Sequence, residues 1–305
     1  MILTSYVQWK KLHHPLLHEH QTELWLRYAP GNNPDISGNK ILKLKYQLEQ
    51  ALQQKYQGLL TFGGAFSNHL VATAAAAAEN KLKSVGIVRG EEVDLDNPSL
   101  ALCRFYGMQL IRVSREFYRG RHQQEVLQQL RDQFPGLLQI PEGGTCEAAV
   151  RGVSELDMCT TPAGPASMLI CAVGSGGTVA GLIRGSKNTP VLGIAVVQDQ
   201  SLPEKIKAFL PADRHWPEWQ LIQALHQPRY GRFDKQLWQF CLSFAEQDVQ
   251  LEPVYTGKAL YSVFELMKAG KIPKGSRLSF FHTGGLQGLK GLAYRGLIPD
   301  ADSVQ

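Results

Sequence analysis

The run Leu59-Leu-Thr-Phe-Gly-Gly-Ala-Phe-Ser-Asn-His69, continued by alanine-rich Leu70 to Lys81 and then by Ser84-Val-Gly-Ile-Val-Arg89, decides the fold. A short apolar run ends at Gly63-Gly64, a helical stretch starts near Ser67, and a second apolar run follows at once. This is one strand–helix–strand cycle of a parallel α/β layer. The alanines at 74–78 imply a helix packed closely against its neighbours. The same alternation extends outward, with strands expected at Gln109–Val113, Leu137–Ile140, Met168–Val173, Val191–Val197 and Leu278–Phe281. Helices are expected over Ile41–Gln54 and around 98–107, 121–133, 146–159, 177–187, 234–248 and 257–269.

The predicted fold class is α/β, with two open, twisted, parallel-sheet domains flanked by helices. Residues 46–141 contain a self-sufficient set of strand–helix units and are expected to form an inserted smaller domain. Residues 1–45 and 142–305 are expected to form the larger, cofactor-binding one. The loops Gly63 to Asn68 and Gly174 to Thr178 both fall at carboxyl ends of strands, so an active site in the cleft between the domains is expected.

Composition narrows the function classes. The 305 residues are 44% hydrophobic and 19% charged, and 32 basic against 27 acidic residues give a net charge of only +5. No basic block interleaved with aromatics is present to follow a phosphate backbone, so a nucleic-acid partner is not expected. No apolar stretch approaches membrane-spanning length, and the first residues do not read as a secretory leader, so a soluble cytoplasmic protein is expected. Cys103, Cys146, Cys159, Cys171 and Cys241 are odd in number and lack a Cys-x-x-Cys pair. They read as reduced and structural. The cluster His13, His14, His18 and His20 has no partner carboxylates in a ligand pattern, so no metal site is assigned.

Two stretches carry chemistry. Ser37-Gly38-Asn39-Lys40 places a lysine where a turn-rich approach, Ala29 to Gly38, becomes a helix. A helix start disfavours a cation, and desolvation lowers an ammonium pKa further, so Lys40 is a candidate nucleophilic amine; on local sequence alone it also reads as a solvated lysine. Val173-Gly174-Ser175-Gly176-Gly177-Thr178 follows an apolar strand and opens a helix, an arrangement that offers backbone N–H groups to a phosphate. Taken alone it reads equally as a packing turn. A nucleotide-binding protein remains a rival reading, weakened because the Walker lysine is missing and Val179 stands where a dinucleotide loop needs its third glycine.

Five segments in this order resemble the fold type II pyridoxal-phosphate enzymes, the tryptophan synthase β-like group, and within them the 1-aminocyclopropane-1-carboxylate deaminase and D-cysteine desulfhydrase family. They are Gly38-Asn-Lys-Ile-Leu-Lys43, Gly63-Gly-Ala-Phe-Ser-Asn-His69, Val173-Gly-Ser-Gly-Gly-Thr-Val-Ala-Gly181, Glu252-Pro-Val-Tyr-Thr-Gly-Lys258 and Phe281-His-Thr-Gly-Gly285. The resemblance implies pyridoxal 5'-phosphate as cofactor, Lys40 as its Schiff-base lysine and Lys43 as a phosphate-side lysine. It further implies that Asn68 bonds the cofactor's phenolic oxygen and that Gly174, Ser175, Gly176, Gly177 and Thr178 bind the phosphate. Ser67 would meet the substrate carboxylate or move protons, and Tyr255 would be an acid/base or relay. Asn68, His69, Tyr255 and Thr283 would join Ser67 in contacting a small amino acid. A homodimer is also implied. Ser67 reads independently as the N-cap of the alanine-rich helix, and both roles are compatible.

Within the resembled family, the residue after the tyrosine separates two chemistries. A Glu there would keep the pyridine nitrogen protonated, whereas Thr256 offers a neutral hydroxyl. Thr283 follows His282 where the deaminases carry an apolar residue. Both positions resemble the desulfhydrase branch, so a lyase carrying out α,β-elimination from D-cysteine to pyruvate, ammonia and sulfide is the first expectation. The alternatives are 1-aminocyclopropane-1-carboxylate deaminase and a non-catalytic cofactor-binding homologue. The chain departs from the family at Phe66, where Gln is common, at Val71, where Arg is frequent, and at Ala149 and Val153, which interrupt a Gly-rich stretch.

Overall fold

The computed structural model describes residues 8–31 and 33–299. Trp9–Leu12 (β1), Pro15–Glu19 (α1) and Glu23–Tyr28 (β2) come first, with β1 and β2 antiparallel and Trp9 opposite Arg27. Sequence periodicity passed over these short elements. His14, in the histidine cluster, caps α1 by accepting from the Leu16 N–H at 3.1 Å and packs edge-on against Phe264. Among the described residues no group of three His, Cys, Asp or Glu could hold a metal ion.

Next come Asn39–Gln53 (α2), Gly58–Gly63 (β3), Asn68–Glu79 (α3), Lys83–Arg89 (β4), Pro98–Phe105 (α4), Gln109–Val113 (β5), Arg115–Arg119 (α5), Gln124–Gln133 (α6) and Leu137–Gln139 (β6). Their strands form a four-stranded parallel sheet in the order β5-β4-β3-β6. Ala72 and Ala75 to Ala77 of α3 are buried with Leu44 and Ala51 of α2 and with Leu59. Small side chains let the helices approach closely, as the alanine run required. Val71 is fully buried with Leu70, Ala74 and Leu100, so the position where the family frequently has Arg is a core position here.

Glu147–Ser154 (α7) leads to the short antiparallel pair Thr160–Thr161 (β7) and Gly164–Pro165 (β8). Met168–Val173 (β9), Gly177–Gly185 (α8), Val191–Ala195 (β10), Leu202–Lys207 (α9), Trp219–Gln223 (β11), Lys235–Leu242 (α10), Thr256–Lys268 (α11), Arg277–His282 (β12) and Gly288–Tyr294 (α12) complete the chain. The second sheet has the order β1-β2-β12-β9-β10-β11 and is parallel except at β1. Its core joins Leu24, Leu26, Ile170, Ile194 and Phe280 to Leu260, Val263 and Phe264 of α11. α7 ends before the expected 159 and α10 before the expected 248, where polar turns interrupt the apolar spacing.

The chain divides by contacts into two compact units. Of the described residues, 8–31 and 149–286 form one, and 33–148 and 287–299 the other. α2, with Lys40, therefore belongs with the four-stranded sheet, because Leu44 and Ala51 pack into its core. The expected boundary after residue 45 falls inside α2, and the one after residue 141 falls short of Thr145, a partner of Lys43. No helix of the described residues is long and apolar enough to cross a membrane.

Candidate active site

In the unit built on the four-stranded sheet, Gly38 takes φ +68° and starts α2, so Lys40 is the second residue of that helix. Its Nζ lies 3.2 Å from Asn39 Oδ1. Burial lowers its pKa to about 8, which leaves a substantial neutral fraction near neutral pH. Lys43, one turn on, is buried and donates to the Gly143 carbonyl and, at 2.8 Å, to Thr145 Oγ1. Burial, and then the charge of Lys40, hold its pKa well below the usual lysine range.

The turn from β3 to α3 is fixed by close packing. A Cβ on Gly63 would come within 2.6 Å of Ser67 Oγ and Leu70, so only glycine allows Ser67 to fold back. Ser67 Oγ accepts from the Leu70 N–H at 3.3 Å and caps α3. Asn68 opens the helix beside Gly288, whose added Cβ would lie 3.4 Å from Asn68 Oδ1. His69 is buried, with Nε2 2.8 Å from Thr61 Oγ1. Because Thr61 donates to the Ile140 carbonyl at 2.9 Å, its oxygen accepts and His69 carries its proton on Nε2. His69 Nδ1 is buried with no hydrogen-bond partner. Burial, followed by the charges of Lys40 and Lys43, pushes the imidazole pKa well below 6.5, so the ring is neutral. Phe66 turns instead onto α12: its ring fills the space a Cβ on Gly291 would need, and Arg295 lies 5.1 Å over its face.

In the other unit, Gly174 to Gly176 connect β9 to α8, and Gly176 takes φ +87°. The N-cap residue is Gly176, which has no side chain to offer the first N–H groups, and Thr178 is buried in the first turn. A Cβ on Gly174 would lie 3.2 Å from Tyr255 Cε1, which places the tyrosine ring against the glycine loop. Glu252 explains how Tyr255 and Thr256 are set. Its buried carboxylate accepts from the N–H groups of Val254 at 2.8 Å, Tyr255 at 2.9 Å and Thr256 at 2.6 Å, capping α11. Burial raises its pKa to about 7 against the lowering effect of those N–H groups. Gly257 is required beside it, since a Cβ would lie 2.3 Å from Cys241 Sγ.

Thr256 Oγ1 lies 3.4 Å from Thr283 Oγ1, and both residues are buried. His282 sets Thr283: its Nε2 meets the Gln250 carbonyl at 2.8 Å, its Nδ1 accepts from Gly284 N–H at 3.3 Å, and its ring stacks on Tyr28. Within its own unit each set is thus brought together: Lys40, Lys43, Ser67, Asn68 and His69 in one, and Gly174 to Thr178, Tyr255, Thr256 and Thr283 in the other.

The sequence reading missed Tyr230, whose hydroxyl accepts from Tyr255 at 3.1 Å with the rings 5.7 Å apart. It lies in Gln227-Pro-Arg-Tyr-Gly-Arg232, which shows no periodicity and carries no motif. Glu252 and Lys258 stood inside a quoted motif without a role. The cap at Glu252 was legible in principle as an acid four residues ahead of an apolar helical run.

A family model described as pyridoxal-phosphate dependent enzyme matches residues 4–284. The chain belongs to this family. A protein of Pyrococcus abyssi, provisionally named a 1-aminocyclopropane-1-carboxylate deaminase, is 32% identical over 83% of this chain and 82% of its own. A mitochondrial protein of Arabidopsis thaliana, named a bifunctional D-cysteine desulfhydrase/1-aminocyclopropane-1-carboxylate deaminase, is 28% identical over 88% of this chain and 73% of its own. The crystal structure of an ACC deaminase homologue superposes with a TM-score of 0.75 at 25% identity, covering 95% of this chain and 93% of that one. The fold is that of the fold type II pyridoxal-phosphate enzymes, and the cofactor is pyridoxal phosphate.

The residues fit that cofactor. A lysine amine with a pKa of about 8 suits a carbonyl partner, and a helix start with a glycine at its N-cap suits a phosphate.

Proposed function

We propose that this pyridoxal-phosphate-dependent enzyme is a lyase that eliminates sulfide from D-cysteine. In the balanced reaction, cysteine and water give pyruvate, ammonia and hydrogen sulfide: the Cα–H and Cβ–S bonds break, and water then releases the nitrogen as ammonia. Pyridoxal phosphate, when bound, supplies the electron sink for the pair left by the Cα proton.

The observation that carries the choice of reaction is the buried hydroxyl pair Thr256–Thr283. The acid next to it in sequence, Glu252, is committed to three backbone N–H groups and is not offered to a ring nitrogen. A hydroxyl partner leaves a pyridine nitrogen unprotonated and the ring a weaker sink. That suffices where a thiolate can leave, and suits cyclopropane opening less well.

The other residues take roles their chemistry supports. Lys40 presents the neutral amine that bonds the cofactor, and the backbone of Gly174 to Thr178, with Lys43, holds the phosphate. Asn68 bonds the ring oxygen. Ser67, whose hydroxyl accepts from Leu70 and keeps its own proton for donation, meets the substrate carboxylate. Tyr255 moves a proton near the reacting carbon, and His69 and Thr283 shape the substrate's surroundings. The name of the Pyrococcus abyssi relative favours a second reading, 1-aminocyclopropane-1-carboxylate deaminase.

Cytoplasmic location is supported by five free cysteines, and homodimerisation by the exposed apolar Phe105 and Leu297. Two measurements on purified protein test the proposal. D-cysteine should yield sulfide and pyruvate in equal amounts, and the visible absorbance of the loaded protein should vanish in Lys40→Ala. Absorbance without turnover of any amino acid would leave a non-catalytic cofactor-binding protein.

A further inference from the structure

α11 presents three polar side chains on one face, Tyr255 just before it and Lys258 and Ser262 within it, at the three- and four-residue spacing that stacks side chains along a helix. All three contact the segment between β11 and α10. Ser262 Oγ accepts from the Leu225 N–H at 3.1 Å, Lys258 Nζ donates to the Arg229 carbonyl at 2.9 Å, and Tyr255 donates to Tyr230 at 3.1 Å. Gln223 and the pair His226–Asp234 brace the two ends of the segment. The segment itself is exposed at Arg229, Tyr230 and Arg232 and has no regular secondary structure.

Lys258 is the unusual member. It is completely buried and donates to a neutral carbonyl, while the nearby Glu252 carboxylate is occupied in capping α11. Burial lowers its pKa to about 8, so keeping an ammonium here works against stability. An apolar side chain of similar length would pack at lower cost but could not hold the carbonyl.

We propose that Lys258 is a positioning residue: by fixing the Arg229 carbonyl it holds the 224–234 segment so that the Tyr230 hydroxyl stays against Tyr255. The ring pair is then preorganised for moving a proton, with no search over the conformations open to an exposed loop. Its catalytic consequence rests on the reading of Tyr255 given above; its structural core does not.

The test therefore begins on the apoprotein. Arg229 and Arg232 are trypsin sites within the held segment. Lys258→Met should speed cleavage after either arginine about tenfold, the worth of one hydrogen bond, with the melting temperature unchanged or raised. Lys258→Arg, which keeps a donor, should restore protection. In the loaded enzyme Lys258→Met should lower kcat for D-cysteine as Tyr230→Phe does, and the double variant should be no worse than either single one. Should Lys258→Met not fold, Ser262→Ala tests the same restraint through Leu225 and should also expose the arginines. Unchanged cleavage, or a lowered melting temperature with protection intact, would overturn the proposal. Loss of protection in a protein inactive toward every amino acid would support the restraint and count against the reaction instead.

Discussion

Thr256 Oγ1 and Thr283 Oγ1 lie 3.4 Å apart on the first turn of α11 and just after β12, each buried and each positioned by a neighbouring residue, Glu252 and His282 respectively. Either hydroxyl can donate to the other, so the pair can present a proton or a lone pair without carrying charge. Thr256→Val keeps the shape and removes the hydroxyl. It should cost about 1 kcal/mol of stability and reduce kcat for sulfide release about tenfold. Urea unfolding and steady-state kinetics check the two effects separately.

Lys40 links pH to both chemistry and stability. Its pKa is about 8 in the folded protein against 10.5 for the free side chain, a depressed value. The folded state is therefore disfavoured as pH falls from 10.5 through 8, and below 8 the cost is complete. Lys40→Met in the apoprotein should raise stability by about 2 kcal/mol at pH 7. The gain should vanish by pH 10.5 in unfolding titrations. The rate at which wild-type apoprotein captures pyridoxal phosphate should rise with pH and level off above about 8.

Glu252 titrates in the opposite sense. Burial raises its folded pKa to about 7 from 4.5. Its contribution to stability is complete below pH 4.5 and is lost as pH rises through 7. Glu252→Gln cannot titrate, so the urea midpoint should decline less steeply between pH 5 and 7.5 than in wild type.

Ser67 has a capping role and a proposed substrate role that separate kinetically. Ser67→Ala should lose about 1 kcal/mol of stability through the α3 cap. It should also raise KM for the amino acid while retaining the visible absorbance of the cofactor. An unchanged KM would leave the cap as its whole contribution.

Gly174 faces Tyr255 at a distance that an added methyl would tighten to 3.2 Å. Gly174→Ala should shift the tyrosine and lower kcat more than it lowers cofactor affinity. Spectroscopic titration with pyridoxal phosphate, set beside kinetics, distinguishes the two.

The parts of this protein written as strong local patterns were legible in the sequence. β3, α3 and β4 follow from apolar runs, an alanine face and glycine punctuation, and the parallel sheet follows from their alternation. The short elements were not: β1, β2 and α12 are four to seven residues long and take their shape from sheet edges and from packing such as Phe66 on Gly291. At the candidate site, Lys40 and the glycine loop carry local signals, but what surrounds them does not. The commitment of Lys43 to Gly143 and Thr145 spans about a hundred residues of chain. Tyr230 reaches Tyr255 from a loop whose sequence resembles any exposed turn, and only three-dimensional contact reveals it.

The central claim, elimination from D-cysteine by a site with hydroxyl rather than carboxylate character at Thr256, is tested most directly by one comparison. The kcat/KM of the loaded wild-type enzyme should be measured for D-cysteine and for 1-aminocyclopropane-1-carboxylate under the same conditions. The account predicts at least about a hundredfold preference for D-cysteine, the scale on which mismatched polar groups separate small substrates. Equal or faster turnover of the cyclopropane acid would contradict it.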